Sequence, residues 1–299
     1  MMETRFEPQV NATDLHNENK RENTAVRLCK AHTLAAYFGL AVVFTWLILS
    51  PGVAATLGLL RFTFEGTLLT IVSGVGPLLA ALIVTQAIEG TSGVRKIIGN
   101  IFAWRTNAKW WAAALLLMAG LFAISATISW FIWGTVPNAS DGIYLNGGNL
   151  MIVSLLLLFG AFGEESGWRG FALPRLHARH TPLKATLILT LLWWLWHLPT
   201  YWTLPLAMNA MEQYGFAVAF GIQFIVLLAL SLLCTWIYNG SGGVILLPVL
   251  LHASWNFWSG AFGQDVALFL LPLLLLTAVG IGLATKGKLG FKNASLSGG

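Results

Sequence analysis

Two adjacent carboxylates, Glu164 and Glu165, stand at the end of a strongly apolar stretch of the chain. Ionised groups at membrane depth are costly and usually mark a functional site. Two further polar islands lie inside apolar runs: His197 in one, and His252 with Asn256 in the other. Carboxylate, imidazole and carboxamide groups together can activate water and hold a polarised carbonyl group. The three islands therefore predict the site of a hydrolytic enzyme buried in a membrane.

The spacing of the charged residues assigns different roles to the two carboxylates. Glu165 and Arg169 are four residues apart, so on a helix they share a face and can pair. Glu164 is turned by about 100° from Glu165 and has no such partner in its own helix. Glu164 is therefore the predicted general base, with Glu165 and Arg169 in support. The alternative is that all three form an ion network that anchors the helix.

The two histidines indicate a functional site only when they are considered together. His197 lies among tryptophans, and by itself it is equally well explained as a residue at the membrane interface. His252 and Asn256 are four apart and point the same way from one helix, where their N–H groups can hold a developing oxyanion. They can also hold a proton or an ion. Polar islands in three different apolar helices predict one shared cavity.

Several other protease chemistries are excluded by the sequence. No His-Glu-x-x-His zinc motif occurs. Asp14 and Asp141 fall in the predicted tail and in a loop, and Asp265 falls at the edge of the last predicted span, so an intramembrane Asp pair is absent. Ser166 is not in a Gly-x-Ser-x-Gly motif.

The elements that must position these residues follow from composition. The chain has 299 residues, of which 57% are hydrophobic and 10% charged, whereas soluble domains carry about 25% charged residues. A helix needs about 20 apolar residues to span the hydrocarbon core, and only helices or closed barrels can span it. The predicted fold is an all-α polytopic membrane helix bundle with eight spans. These are residues 33–54, 67–88, 110–133, 149–172, 184–203, 215–238, 243–260 and 264–285.

The distribution of charge predicts the orientation of this bundle. Of the 17 Lys and Arg residues, only Arg61 falls in a segment that the eight-span topology places outside. Such a bias is typical of cytosolic segments, so both termini are predicted to be cytosolic. The excess of Lys and Arg is therefore explained by the membrane topology, and no nucleic-acid partner is expected. The segment 90–109 mixes basic and apolar residues and is predicted to be an interfacial amphipathic helix.

The chain is predicted to contain one structural domain, residues 31–290, with its motif core at 149–260. Residues 1–30 and 291–299 are predicted to be cytosolic tails, the first of them flexible. The expected location is the cell membrane.

The polar residues form three ordered motifs: E-E-x-x-x-R from Glu164 to Arg169, W-x-x-x-H from Trp193 to His197, and H-x-x-x-N from His252 to Asn256. In this they resemble the CAAX protease and bacteriocin-processing family, also called Abi or type II CAAX prenyl endopeptidases. The resemblance covers residues 163 to 256. One departure is Trp193, where the family commonly has Phe, a change expected to be conservative.

The resemblance implies an eight-helix intramembrane endopeptidase that cleaves a membrane-associated peptide or protein. Glu164 would activate water with help from His197, while His252 and Asn256 would stabilise the oxyanion. The family is described both as metal-dependent and as glutamate-type. Glu164, His197 and His252 would be the ligands if zinc is bound, but we favour the metal-free mechanism and predict no cofactor.

Two functions of other classes stay open at this level. One is a non-catalytic bacteriocin-immunity or scaffold protein that binds a peptide or partner through the same cavity. The other is a proton-coupled transporter that uses Glu164 and the histidines as a relay.

The depths of the site residues raise a geometric question. If the cavity is the active site of an enzyme, water and substrate are expected to enter it from the cytosol. Counted from the cytosolic ends, Glu164 would be shallow and His197 about 15–20 Å deep. Glu164 and His197 can lie at the same depth only if the fourth span extends further than hydropathy indicates, or if the fifth span begins late.

Overall fold

The computed structural model describes residues 24–61, 66–134, 150–261 and 264–291. Within these ranges the regular structure is helical, without strands. The α-helices are α1 (Thr24–Ala31), α2 (Thr33–Thr56), α3 (Gly66–Ser73), α4 (Gly76–Ile101), α5 (Ala108–Trp133), α6 (Leu150–Gly167), α7 (Leu173–His177), α8 (Pro182–Trp196), α9 (Pro205–Tyr214), α10 (Phe216–Gly240), α11 (Leu246–Ala261) and α12 (Gln264–Ala284).

The protein is an all-α membrane helix bundle, as its composition predicts. Four helical segments in the described ranges are both long and apolar enough to cross a membrane: Thr33–Thr56, Gly66–Ile101, Ala108–Trp133 and Phe216–Gly240. Other apolar helices, among them α6, α8 and α11, are shorter and contain or border the polar motifs. The count of eight spans and the cytosolic orientation of the termini stay predictions.

The helix that carries the two carboxylates is longer than hydropathy indicated. After α6 the chain makes a π-helical turn, Trp168–Ala172, in which the Leu173 N–H donates to the Trp168 carbonyl, and it continues directly into α7. The helical path thus ends at His177 rather than at residue 172. Glu164 lies about 20 Å from that end, and Trp193 lies about 16 Å from the start of α8. The longer helix removes the mismatch in depth.

The bundle has two chemically different ends. The connection between α7 and α8 lies at one end and carries Arg179, with Arg175 in α7 and Lys184 in α8 close to it. A hydrogen bond of 2.9 Å from Thr106 to the Ser241 carbonyl brings the α4–α5 connection to the same end. We call this the basic end. The opposite end holds the junction of α2 with the 3₁₀ turn Leu198–Trp202.

Two predicted boundaries differ from those observed. Gly90, with φ 68° and ψ −165°, interrupts α4, and a separate helical stretch follows up to Ile101. This stretch is shorter than the predicted helix at 90–109, and its place at the membrane surface stays a prediction. At the N-terminus, α1 already begins at Thr24, inside the predicted tail. The remainder of that tail and residues 292–299 lie outside the described residues.

Candidate active site

Close backbone contact fixes the position of the two carboxylates. A Cβ on Gly163 would lie only 2.5 Å from the Gly74 carbonyl oxygen, so α6 passes against the α3–α4 junction at a distance that only glycine allows. The neighbouring Glu164 is 8% exposed and Glu165 fully buried. Carboxylates this deep need partners, because burial of an unpaired charge is very costly.

Glu165 has two such partners, one on its own helical path and one on α11. Its Oε1 accepts a hydrogen bond of 2.8 Å from Arg169, which is also fully buried. The same oxygen accepts a bond of 3.0 Å from Nδ1 of His252 on α11. Arg169 in turn donates to the Ser231 hydroxyl on α10 at 3.0 Å. The pairing of Glu165 with Arg169 is confirmed, and the network joins α6, α10 and α11.

Trp193 on α8 is the partner of the other carboxylate. Its indole N–H donates to Oε2 of Glu164 at 2.7 Å, a short charge-assisted bond if the carboxylate is ionised. The Trp193 ring also lies 5.0 Å from the Arg169 guanidinium and 5.3 Å from the His252 ring. Phenylalanine cannot donate this bond. The expectation that Trp is a conservative replacement for Phe here is therefore wrong.

His197 stands where α8 ends. Its Nδ1 lies 2.8 Å from the Trp193 carbonyl oxygen. Because a carbonyl only accepts, Nδ1 carries the proton, and in the neutral ring Nε2 keeps its lone pair. Pro199 follows in the 3₁₀ turn Leu198–Trp202, where its missing N–H and fixed φ prevent α8 from continuing. The helix end thus holds the His197 ring at the level of Glu164.

The four predicted catalytic residues share one cavity. Glu164, His197, His252 and Asn256 all line a space of about 290 Å³. The prediction that the polar islands converge is therefore confirmed as geometry, whereas the roles of the individual residues stay predictions. Most other walls are apolar and come from α3, α6, α9, α10 and the 3₁₀ turn, and Thr70, Thr200, Gln223 and Ser259 add uncharged polar groups.

The cavity extends in one direction from Glu164. On α6 it is lined by Leu157 and Gly160, which precede Glu164, and on α11 by residues that follow His252, up to Ser259. Both directions lead away from the basic end. The cavity thus extends away from the basic end, which the charge distribution predicts to be cytosolic, whereas entry from the cytosol was the expectation.

The placement of the histidines and Glu164 shows whether they could hold zinc. Among the described residues, no three His, Cys, Asp or Glu side chains stand close enough together to hold a metal ion. If Glu164 were a zinc ligand, the neighbouring Glu165 would have to act as the general base, but it is already engaged by Arg169 and His252. As placed, these residues do not form a zinc site, and we derive no step through a metal. The metal-free mechanism stays a prediction.

Sequence reasoning missed three contributions to this site. Trp193 was interpreted only as a motif position, although an indole beside a buried carboxylate is an available donor. Ser231 gave no signal, because a lone serine in an apolar helix usually bonds its own backbone. Gln223 lines the cavity and its Oε1 is buried without a partner among the described residues. Its carboxamide within the apolar run of α10 was the signal that could have found it.

The fold and the site together define a class: membrane helix bundles that enclose a Glu–His–His–Asn cavity. Residues 146–258 match the family model of Rce1-like type II CAAX prenyl endopeptidases. A curated relative, CAAX prenyl protease 2 of Methanococcus maripaludis, is 27% identical over 183 residues, which are 58% of this chain and 65% of the relative. The alignment thus spans less than two thirds of that protein. Both matches support the resemblance to the CAAX protease and bacteriocin-processing family that the motifs predicted.

Proposed function

We propose that this protein is an intramembrane endopeptidase, of the glutamate type, that hydrolyses a peptide bond in a membrane-associated peptide or protein. The observation that carries the proposal is the convergence of Glu164, His197, His252 and Asn256 on one cavity within the family-matched residues. The bilayer and the substrate are its expected partners. We place it in the cell membrane.

The mechanism assigns each oxygen of Glu164 a task. Oε2 is held by Trp193, so Oε1 is left to take a proton from a water molecule. His197 orients that water through Nε2, which accepts a hydrogen bond in the neutral ring. The resulting hydroxide attacks the carbonyl carbon, and Glu164 then gives the proton to the leaving amine nitrogen.

The oxyanion formed in this step needs donors. The carboxamide of Asn256 donates whatever the state of its neighbours. His252 donates from Nε2 only as an imidazolium, because its Nδ1–H is already bound to Glu165. Asn256 is therefore the principal oxyanion donor, and removal of one such donor commonly lowers kcat by about 10²–10³-fold.

The test is cleavage of a panel of quenched fluorescent peptides by the purified protein and by Glu164→Gln. The variant keeps the size of the side chain but loses the base, so turnover should be abolished while the protein stays folded. Glu212→Gln, an exposed change on α9, should cleave like the wild type. Near-normal rates in Glu164→Gln would contradict the general-base assignment.

Peptide cleavage measured with and without a metal chelator distinguishes a glutamate-type protease from a metalloprotease. The glutamate type predicts full activity with chelator present. Loss of activity that zinc restores would show a metalloprotease instead. Peptide binding without cleavage by the wild type would favour the immunity or scaffold function.

A further inference from the structure

The direction of the cavity relative to the charges decides which side of the membrane it serves. On α10 the lining residues run from Ala219 to Leu230 and stop before Ser231, the partner of Arg169. On α8 and the turn after it, the lining begins at His197 and continues through Leu204 to Ala210. Each wall therefore leads from the level of the carboxylates toward the opposite end.

Packed side chains close the path to the basic end. Trp168, Arg169, Phe171 and Leu173 follow the carboxylates along the helix and are all at most 1% exposed. The guanidinium of Arg169 fills the space between α6 and α10 through its bonds to Glu165 and Ser231. No described lining residue of the cavity lies beyond this layer.

The exposed lining residues of the cavity lie on α9 and α10, and we infer that its mouth lies between these helices. Pro205 and Leu206 at the start of α9 line the cavity and are exposed, and so is Ile222 on α10. These residues belong to the opposite end, where the 3₁₀ turn binds the end of α2 through Thr56.

The basic residues lie on the other side of the closed layer. Exposed Lys and Arg side chains occupy the α7–α8 and α4–α5 connections and the segment after α12. A hydrogen bond from Asn239 at the end of α10 to the Leu289 carbonyl holds that last segment at the basic end. Arg61 is the exposed cation at the opposite end in the described ranges. Positive residues accumulate on cytosolic connections, so the basic end is the cytosolic one.

We propose that the cavity takes its substrate from the non-cytosolic side, and that the substrate is an uncharged, extended segment of an exported or outer-leaflet-associated peptide. The proposed class of substrate rests on the proposed endopeptidase function. The side of the membrane on which the cavity opens, which we call the sidedness, does not depend on that function. Apart from Glu164 and the two histidines, the described lining residues are apolar or uncharged. At about 290 Å³ the cavity is at the lower limit of ligand pockets, so it receives a few residues rather than a folded domain.

Thiol labelling in intact cells tests the sidedness without any activity. The background has both native cysteines, Cys29 and Cys234, replaced by alanine. Leu206→Cys and Glu212→Cys report on the mouth and on α9, and Arg179→Cys is the matched control at the basic end. A membrane-impermeant maleimide should label the first two in intact cells, and Arg179→Cys only after permeabilisation.

Two results would overturn the sidedness. One is the reverse pattern, in which Arg179→Cys reacts in intact cells and the α9 thiols do not. The other is protection of the α9 thiols until the cells are permeabilised, or their lack of reaction from either side.

Proteoliposomes of known orientation test the substrate side. A quenched peptide that the wild type cleaves in detergent is added outside vesicles whose orientation the same labelling has determined. Cleavage should occur when the non-cytosolic end faces outward and should fall at least tenfold in the inverted population. Cleavage that follows the basic end would overturn the inference and leave the endopeptidase function intact. Absence of cleavage in detergent by any peptide would instead defeat the proposed function and the substrate class, while the labelling still decides the sidedness.

Discussion

Trp193 contacts four polar residues of the site through one side chain and its backbone. Its indole N–H binds Glu164, its ring contacts Arg169 and His252, and its carbonyl accepts from His197. The indole thereby decides which carboxylate oxygen of Glu164 faces the cavity. We assign Trp193 a positioning role, because it acts through Glu164 rather than on the substrate.

Replacement of Trp193 by Phe tests this role. The variant keeps an aromatic ring against His252 but loses the N–H, so Glu164 is free to rotate. Hydrogen bonds to charged groups contribute about 1.5–3 kcal/mol, so we expect kcat to fall roughly 10–100-fold with KM nearly unchanged. Steady-state kinetics of peptide cleavage give both constants.

Trp194→Phe is the matched control for that variant. Trp194 is the next residue on α8, and its indole also donates one hydrogen bond, to the Phe220 carbonyl at 2.8 Å. The control should change kcat by less than about threefold, because it loses a neutral bond away from the cavity. Equal effects of the two substitutions, or a change in KM alone for Trp193→Phe, would count against the positioning role.

At the scale of the elements, the ion network joins helices that are distant in sequence. Glu165 and Arg169 come from the α6 path, Ser231 from α10 and His252 from α11. Arg169 lies in the π-helical turn, a distortion that often accompanies functional sites. The network therefore holds these three helices together as well as orienting His252.

Removal of one member should leave an unpaired buried charge. Arg169→Ala is expected to destabilise the fold by about 3–5 kcal/mol. Thermal unfolding in detergent measures the effect, and activity should fall in parallel. Glu89→Ala is the control, since it breaks a partly exposed pair with Arg175 that is 2.6 Å long and is worth about 1 kcal/mol or less. Similar losses in the two variants would show that burial of the Glu165–Arg169 pair carries no special weight.

The contact between α6 and the α3–α4 junction depends on Gly163. A methyl group there would meet backbone atoms of Gly74 and Val75, which cannot move aside cheaply. We expect Gly163→Ala to lower both the unfolding temperature and the activity, because the shift carries Glu164 with it. The control is Gly120→Ala on α5, where no atom lies within 4 Å of the added Cβ and helix propensity alone should stabilise by up to about 1 kcal/mol. A neutral Gly163→Ala would contradict the close packing.

The sequence predicted those contacts that depend on spacing within one helix. The Glu165–Arg169 pair followed from their four-residue separation, and the shared cavity from three polar islands in apolar helices. The bond between His252 and Glu165 spans 87 positions and depends on tertiary packing, which no local pattern encodes. The sequence predicted that the helix with the two carboxylates ends at residue 172, because polar residues follow and the apolar pattern stops there. In the structure, the π-helical turn with buried Arg169 leads directly into α7, so the helical path ends only at His177.

At the scale of the whole molecule, the site divides the bundle into a closed and an open half. The closed half lies toward the basic end and is filled by large side chains such as Trp168 and Phe171. The open half holds the cavity, whose mouth is at Pro205 and Leu206. Charge on the sequence predicted the orientation, but the side on which the cavity opens needed the three-dimensional arrangement of the lining helices.

The charge of the cavity also restricts the substrate. Its described lining offers no Lys or Arg to pair with an acidic residue, and Glu164 would repel one. Burial of an unpaired carboxylate costs several kcal/mol. An Asn→Asp change next to the scissile bond of a cleaved peptide should therefore lower kcat/KM by at least tenfold, or about 1.4 kcal/mol. The same change far from that bond should have little effect, because that part of the peptide lies outside a cavity of this size. Equal cleavage of the Asn and Asp peptides would mean that the scissile bond is bound elsewhere than beside Glu164.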